Sequence, residues 1–321
     1  MAATSAPRRL GRPASAPFGR LVLCAHLALG LACGDRAPSE LTEGPSERTD
    51  DAPAPLSERS DVAGILAALH RSHATIRAET GPHRLGYTAE FELVPERPSD
   101  GPPKLDQPIE VAMKVHDEVE LIWASTNEKS IRMSLQQSND REDRRDLVIV
   151  DEVAYTRLWE PQWYRRPLDG DIHELWLDDA QRSVHDLVEF MAPRVKLEFA
   201  GEGEIDGVRA LRWKLTLSDA VETALGRDGD PSLWRAAAEI QSVAGELALD
   251  ASSGAWLSAQ LDVTWRMQDA AGRAMKGHAS LDGSVKRGEF EVQPPSGSVP
   301  MPERQRYEPE RRKLLDGLAA P

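Results

Sequence analysis

Cysteine is nearly absent from this chain: two in 321 residues, Cys24 and Cys33. That excludes a disulfide-stapled scaffold and every zinc site built on several thiolates. Aromatic residues make up only 5%, although eight of them are tryptophans. No apolar run approaches the roughly 20 residues that a membrane-spanning helix needs. Positive charge is short, with 39 basic against 53 acidic residues and a net charge of −14. So acidic a balance argues against nucleic acid and against electrostatic docking on anionic lipid surfaces. Catalytic signatures are missing too. No Gly-x-Ser-x-Gly elbow and no phosphate-binding Gly-rich loop occurs, and abundant carboxylates do not single out an acid–base pair. The expectation is a protein that is not an enzyme and carries no cofactor.

What is present begins at the N-terminus. Arg8, Arg9, Arg12 and Arg20 precede an apolar segment, Leu21–Ala32, which ends in Gly-Leu-Ala before Cys33. A basic stretch, a short apolar stretch and small residues before a cut point describe a secretory signal. With a cysteine at the cut, the segment resembles a bacterial lipoprotein signal, in which that thiol is acylated and becomes the new N-terminus. The resemblance implies a signal peptide over 1–32 and lipid attachment at Cys33. It also implies an exported chain held at a membrane facing the periplasm, the outer membrane ahead of the inner because Gly34 follows the cysteine. Cleavage would remove four arginines and no acid, taking the net charge from −14 to −18. An acyl anchor holds a protein at a membrane without any basic patch.

Residues 33–59 are rich in Pro, Ser, Glu and Asp and have few bulky apolar side chains, so they read as a disordered tether. Asp61–Ala78 then places Val62, Ile65, Leu66, Leu69, His73 and Ile76 at helical spacing, with Ser60 or Asp61 as the N-cap. Beyond Gly81-Pro82 the period becomes two. Alternation runs through Tyr87–Leu93, Ile109–Val115, Ile131–Leu135 and Leu211–Leu217, and most clearly through Leu257–Met267, as in antiparallel strands with one apolar face. Helical patterns interrupt at Asp178–Met191 and, in two pieces, at Ser218–Gln241. Residues 293–321 form a Pro-rich tail with a short charged helix.

This order predicts an α+β fold over residues 60–292: one antiparallel sheet of about 10–11 strands, with helices on its apolar, concave face. An open sheet that wide curls strongly. The strand pair Val153–Tyr155 and Trp163–Arg166, and the hairpin Gly245–Asp250 with Gly254–Leu257, resemble elements of the LolA/LppX/LprG group of half-barrel lipid carriers. The resemblance implies a cavity for a lipid or other apolar ligand, as carrier or sensor.

Candidate cavity-lining residues are Trp123, Met133, Tyr155, Trp159, Trp163, Trp176, Met191, Trp213, Leu261 and Trp265. Rings and thioethers suit both an adaptable cavity and an ordinary core, so the solid-core alternative stays open. In that case the chain is a structural or protein-interaction module of the cell envelope, with an envelope protein as its partner. His70 and His73 stand three apart but no third ligand is near them in sequence, so no metal site is expected.

Overall fold

A computed structural model describes residues 56–302 apart from 58–59, 72, 97–111, 126–129, 141–143, 159–160, 169–171, 220–237 and 270–271. Cys33, Trp159 and most of the second helical pattern (Ser218–Gln241) therefore lie outside the described residues.

The expected first helix is two helices, α1 (Val62–Leu69) and α2 (His73–Thr80). Asp61 caps α1 by accepting the Gly64 N–H at 2.8 Å. Arg71 stands at the break between them. Its guanidinium donates to the Ser253 carbonyl and to both Glu79 carboxylate oxygens (2.6 and 2.9 Å), so the chain turns where a tertiary contact holds it. A third helix, α3, covers Ile172–Met191, six residues earlier in its start than the apolar periodicity marks.

The strands are β1 (His83–Pro95), β2 (Met113–Trp123), β3 (Met133–Asn139), β4 (Arg144–Val150), β5 (Val153–Arg157) and β6 (Tyr164–Pro167). They continue with β7 (Val195–Ile205), β8 (Val208–Leu217), β9 (Glu239–Asp250), β10 (Trp256–Gln268), β11 (Ala274–Arg287) and β12 (Val299–Pro300). All twelve form one sheet in the order β12-β6-β5-β4-β3-β2-β1-β11-β10-β9-β8-β7. Eleven are antiparallel to their neighbours, and two-residue β12 joins β6 in parallel. The fold is the α+β, single-sheet class read from the alternation.

The topology follows from two meanders. β1 to β6 steps outward to one edge, α3 carries the chain across to the other, and β7 to β11 steps back until β11 pairs with β1. In a flat sheet the ten strand spacings from β6 to β7 would cover roughly 48 Å. α3 is only about 30 Å long at 1.5 Å per residue. Curling shortens that crossing, and register shifts at Phe199/Gly201 in the β7–β8 pair and at Trp256/Ser258 and Thr264/Trp265 in the β9–β10 pair bend the strands.

Inward residues of nearly every strand form one core with α1 and α3, including Leu85, Leu121, Leu135, Ile149, Leu215, Leu249 and Val263. Two small clusters lie on the opposite face. One joins Ala210, Ala248 and Leu257. The other gathers Val148, Val150, Ile122, Ala124, Tyr155 and Trp163 around Val292. The folded region expected to end at residue 292 carries its last long strand only as far as Arg287, where β11 stops. After Gly288 (φ 152°) the chain leaves β11 and reaches the outer face. Val292 docks there, and the Val299 and Met301 amides donate to the Trp163 and Arg165 carbonyls at 3.0 and 2.9 Å.

Candidate functional site

The apolar sheet face meets the three helices in a seam with discrete polar pins. Arg77 of α2 is buried, stacks 4.8 Å over the Trp123 ring and donates to the Glu174 carboxylate of α3 at 2.8 and 3.0 Å. Tyr87 of β1 shares a 2.7 Å hydrogen bond with Ser183 of α3. Arg145 of β4 reaches Asp179 at 3.3 Å and stacks 4.8 Å over Trp176. Glu174 is held down to about 2, first by its hydrogen bond with His173 and then by Arg77, so it is ionised at neutral pH.

Between the pins lies a small cavity of about 30 Å³. Leu69 and Ile76 line it from the helices, Leu85, Trp256 and Val285 from the sheet. That volume suits roughly one water molecule. Polar atoms also face it: Thr80, His83, Gln181 and His185. His83 is almost fully buried, and desolvation lowers it to about 4, with Arg77 and Arg287 adding repulsion. Its Nδ1 lies 2.7 Å from the Gly81 carbonyl, and a neutral ring with the proton on Nδ1 satisfies both burial and this contact. The buried Thr80 hydroxyl has no hydrogen-bond partner among the described residues.

The cavity's far wall is the β9–β10 turn. Asp250 accepts from the Ser252 amide (2.8 Å) and from the Ser252 and Ser253 hydroxyls (2.7 and 2.8 Å), and pairs with Arg287. Gly254 has φ 72°, and a Cβ there would fall 3.1 Å from the Ala68 methyl of α1. Glycine at this position lets the turn tuck beneath the helix.

The candidate residues separate into two groups. Trp123, Met133, Met191, Trp213, Leu261 and Trp265 are buried together in the core on the helix-covered face, and half-buried Trp176 packs against them. Tyr155 and Trp163 are on the other face, in the Val292 cluster, where the Arg157 guanidinium stacks 4.5 Å over the Trp163 ring. Tyr155 alternates onto that face from β5, whose Ala154 is buried in the main core, and Trp163 directly precedes β6. Reading them with the others assumed one apolar face. None of the nine described candidates lines the seam cavity. Trp256, His83, Gln181 and His185, which do, were missed. Trp256 carried the only signal, a large ring directly after a Gly-Ala turn.

No family model and no curated protein matches this chain. Solved structures do resemble it. MucB is 14% identical with a TM-score of 0.25, over 74% of this chain and 63% of its own, so this chain spans under two thirds of MucB. LprF from Mycobacterium bovis is 12% identical with a TM-score of 0.28, over 74% of this chain and 98% of LprF. The Mycobacterium tuberculosis lipoprotein LppX is 16% identical with a TM-score of 0.23, over 73% and 99%.

Proposed function

We propose that this chain is an exported, lipid-anchored envelope protein without catalytic activity, which binds a lipid or other apolar ligand beneath its helical cover. The observation that carries this reading is the seam. A broad apolar sheet face is covered by helices that are pinned at separate polar points, Arg77, Tyr87 and Arg145, beside a cavity lined by both apolar and polar side chains. Parting α2 and α3 from the sheet would expose Leu69, Ile76, Leu85, Trp256 and Val285 as one surface. The proposed floor continues into Trp123, Met133, Met191, Trp213, Leu261 and Trp265. Anchoring at Cys33 and the tether over 33–59 would place that surface near a bilayer, with no need for basic charge.

A second reading has its own observation. Met133, Leu135, Ile149, Leu215 and Val263 have no accessible surface, so the core is filled as in an interaction module whose partner is another envelope protein. Mass spectrometry of organic extracts separates the two, using residues 34–321 exported to the periplasm of a bacterial host. A lipid recovered near one per chain supports the ligand reading. An empty extract from a folded, monodisperse protein overturns it in favour of the interaction module.

A further inference from the structure

Three metal-ligating side chains stand together on the C-terminal half of α3. His185, Asp186 and Glu189 each bring one donor atom within 4.8 Å of the others. His185 and Asp186 are buried and Glu189 half-buried. Spacing of i and i+4 puts His185 and Glu189 on one helix face. His185 Nδ1 is 3.2 Å from Asp186 Oδ1. A further imidazole arrives from another helix. His70, at the exposed C-terminal cap of α1, holds its ring centroid 5.1 Å from that of His185.

Arg182 shares the site. Its guanidinium is 3.5 Å from Asp186 and 3.5 Å from Asp178, one helical turn apart on either side. Asp178, Asp186 and Glu189 all hold Arg182 in its charged form. A cation taking Asp186 leaves Arg182 its contact with Asp178, so occupation does not strand a buried charge.

We propose that His185, Asp186 and Glu189, completed by His70, bind a first-row divalent cation of which Zn²⁺ is the best representative. Two imidazoles with carboxylates suit Zn²⁺ and its neighbours, whereas Ca²⁺ and Mg²⁺ seek shells of oxygen. The bound ion ties α1 to α3 across the helical cover. Two other histidine–carboxylate contacts, His116 with Glu90 (3.4 Å) and His278 with Asp262 (2.8 Å), lie on the outer face and serve as controls. His185 also lines the seam cavity, so the two readings meet at one side chain, but metal uptake and lipid recovery are read separately.

The test uses the full chain, purified in detergent, stripped with chelator and titrated with Zn²⁺ and, in parallel, Ca²⁺. One Zn²⁺ per chain, a raised melting temperature and no competition from Ca²⁺ are expected. His70→Gln and Glu189→Gln change side chains outside the fully buried core and should each weaken Zn²⁺ binding about tenfold or more. His185→Gln should abolish it, with circular dichroism reporting whether that buried variant folds. No Zn²⁺ uptake by the wild-type chain overturns the proposal. So does uptake that persists in both His70→Gln and Glu189→Gln, or that is lost instead in His116→Gln or His278→Gln.

Discussion

Trp265 and Gly277 are register partners on β10 and β11, and the indole fills the space where a side chain at 277 would begin. A Cβ at 277 would fall 2.0 Å from Trp265 Cε2. The ring is held there by Phe190 of α3, edge-on at a centroid distance of 5.0 Å, and by Phe91 at 5.7 Å. Gly277→Ala should therefore cost about 1–3 kcal/mol by forcing the indole out of its packing. Chemical denaturation of the variant checks this; unchanged stability would mean that the indole is free to shift.

Arg77 concentrates three contacts in one buried side chain, with Trp123, Glu174 and Gln181. Arg77→Ala should cost about 2–4 kcal/mol and loosen α2 from α3, since it removes a buried ion-pair partner and the packing of its stem. Glu174→Gln should cost less, about 1–2 kcal/mol: it strands the buried guanidinium without a counter-charge, but keeps the packing of Arg77 and an amide oxygen to accept from it at a half-exposed position. Paired melting curves test the asymmetry. Equal losses would place the energy in the ion pair alone.

His83 gives stability a defined pH dependence. In the unfolded chain it takes up a proton below about 6.5, whereas burial keeps it neutral in the fold until about 4. Its contribution is thus fully present above pH 6.5 and is lost as pH falls towards 4, by up to about 3 kcal/mol. Glu174, lowered to about 2, loses its share only further down, as pH falls from the ordinary carboxylate range. Unfolding titrations at pH 7 and 4.5 should show a steep loss in the wild-type chain and a shallower one in His83→Gln. Identical slopes would assign the dependence to other groups.

Val292 seals the outer cluster against Val148 and Val150. A charge there cannot stay buried beside valines, so Val292→Asp should release the segment that follows and unpair β12 from β6. Hydrogen exchange is expected to quicken at the Val299 and Met301 amides while β8 to β11 stay protected. Unaltered exchange at those two amides would show that β12 holds by itself.

Cys33→Ser tests the anchor. The variant should move from the membrane pellet to the soluble fraction on cell fractionation. Pelleting as before would undo the lipid attachment.

Much of the sheet was legible in the chain alone, for a local reason. Strands with one wet face alternate at period two, and β1, β8 and β10 lie where Tyr87–Leu93, Leu211–Leu217 and Leu257–Met267 alternate. Asp61 as an N-cap was legible on the same grounds, since a cap depends on neighbours three residues away. Cores reveal themselves less fully. Trp213 and Trp265 followed the inward phase of their strands, but Tyr155 and Trp163 carry the same kind of apolar signal and lie on the other side.

Sequence by itself determined the phase of β1, β8 and β10, the acidic balance and the scarcity of thiols, because these depend on composition and on contacts a few residues apart. Tertiary structure decided what meets across distance. It broke the first helix at Arg71, sent Val292 over the outer face and brought His70 to His185. It also placed Trp256 and His83 at the seam, with Arg77 beside them. Each of those meetings joins residues from elements far apart in the chain. Neither period nor spacing records such a meeting, since only the curl of the sheet and the path of α3 across it set who lies beside whom.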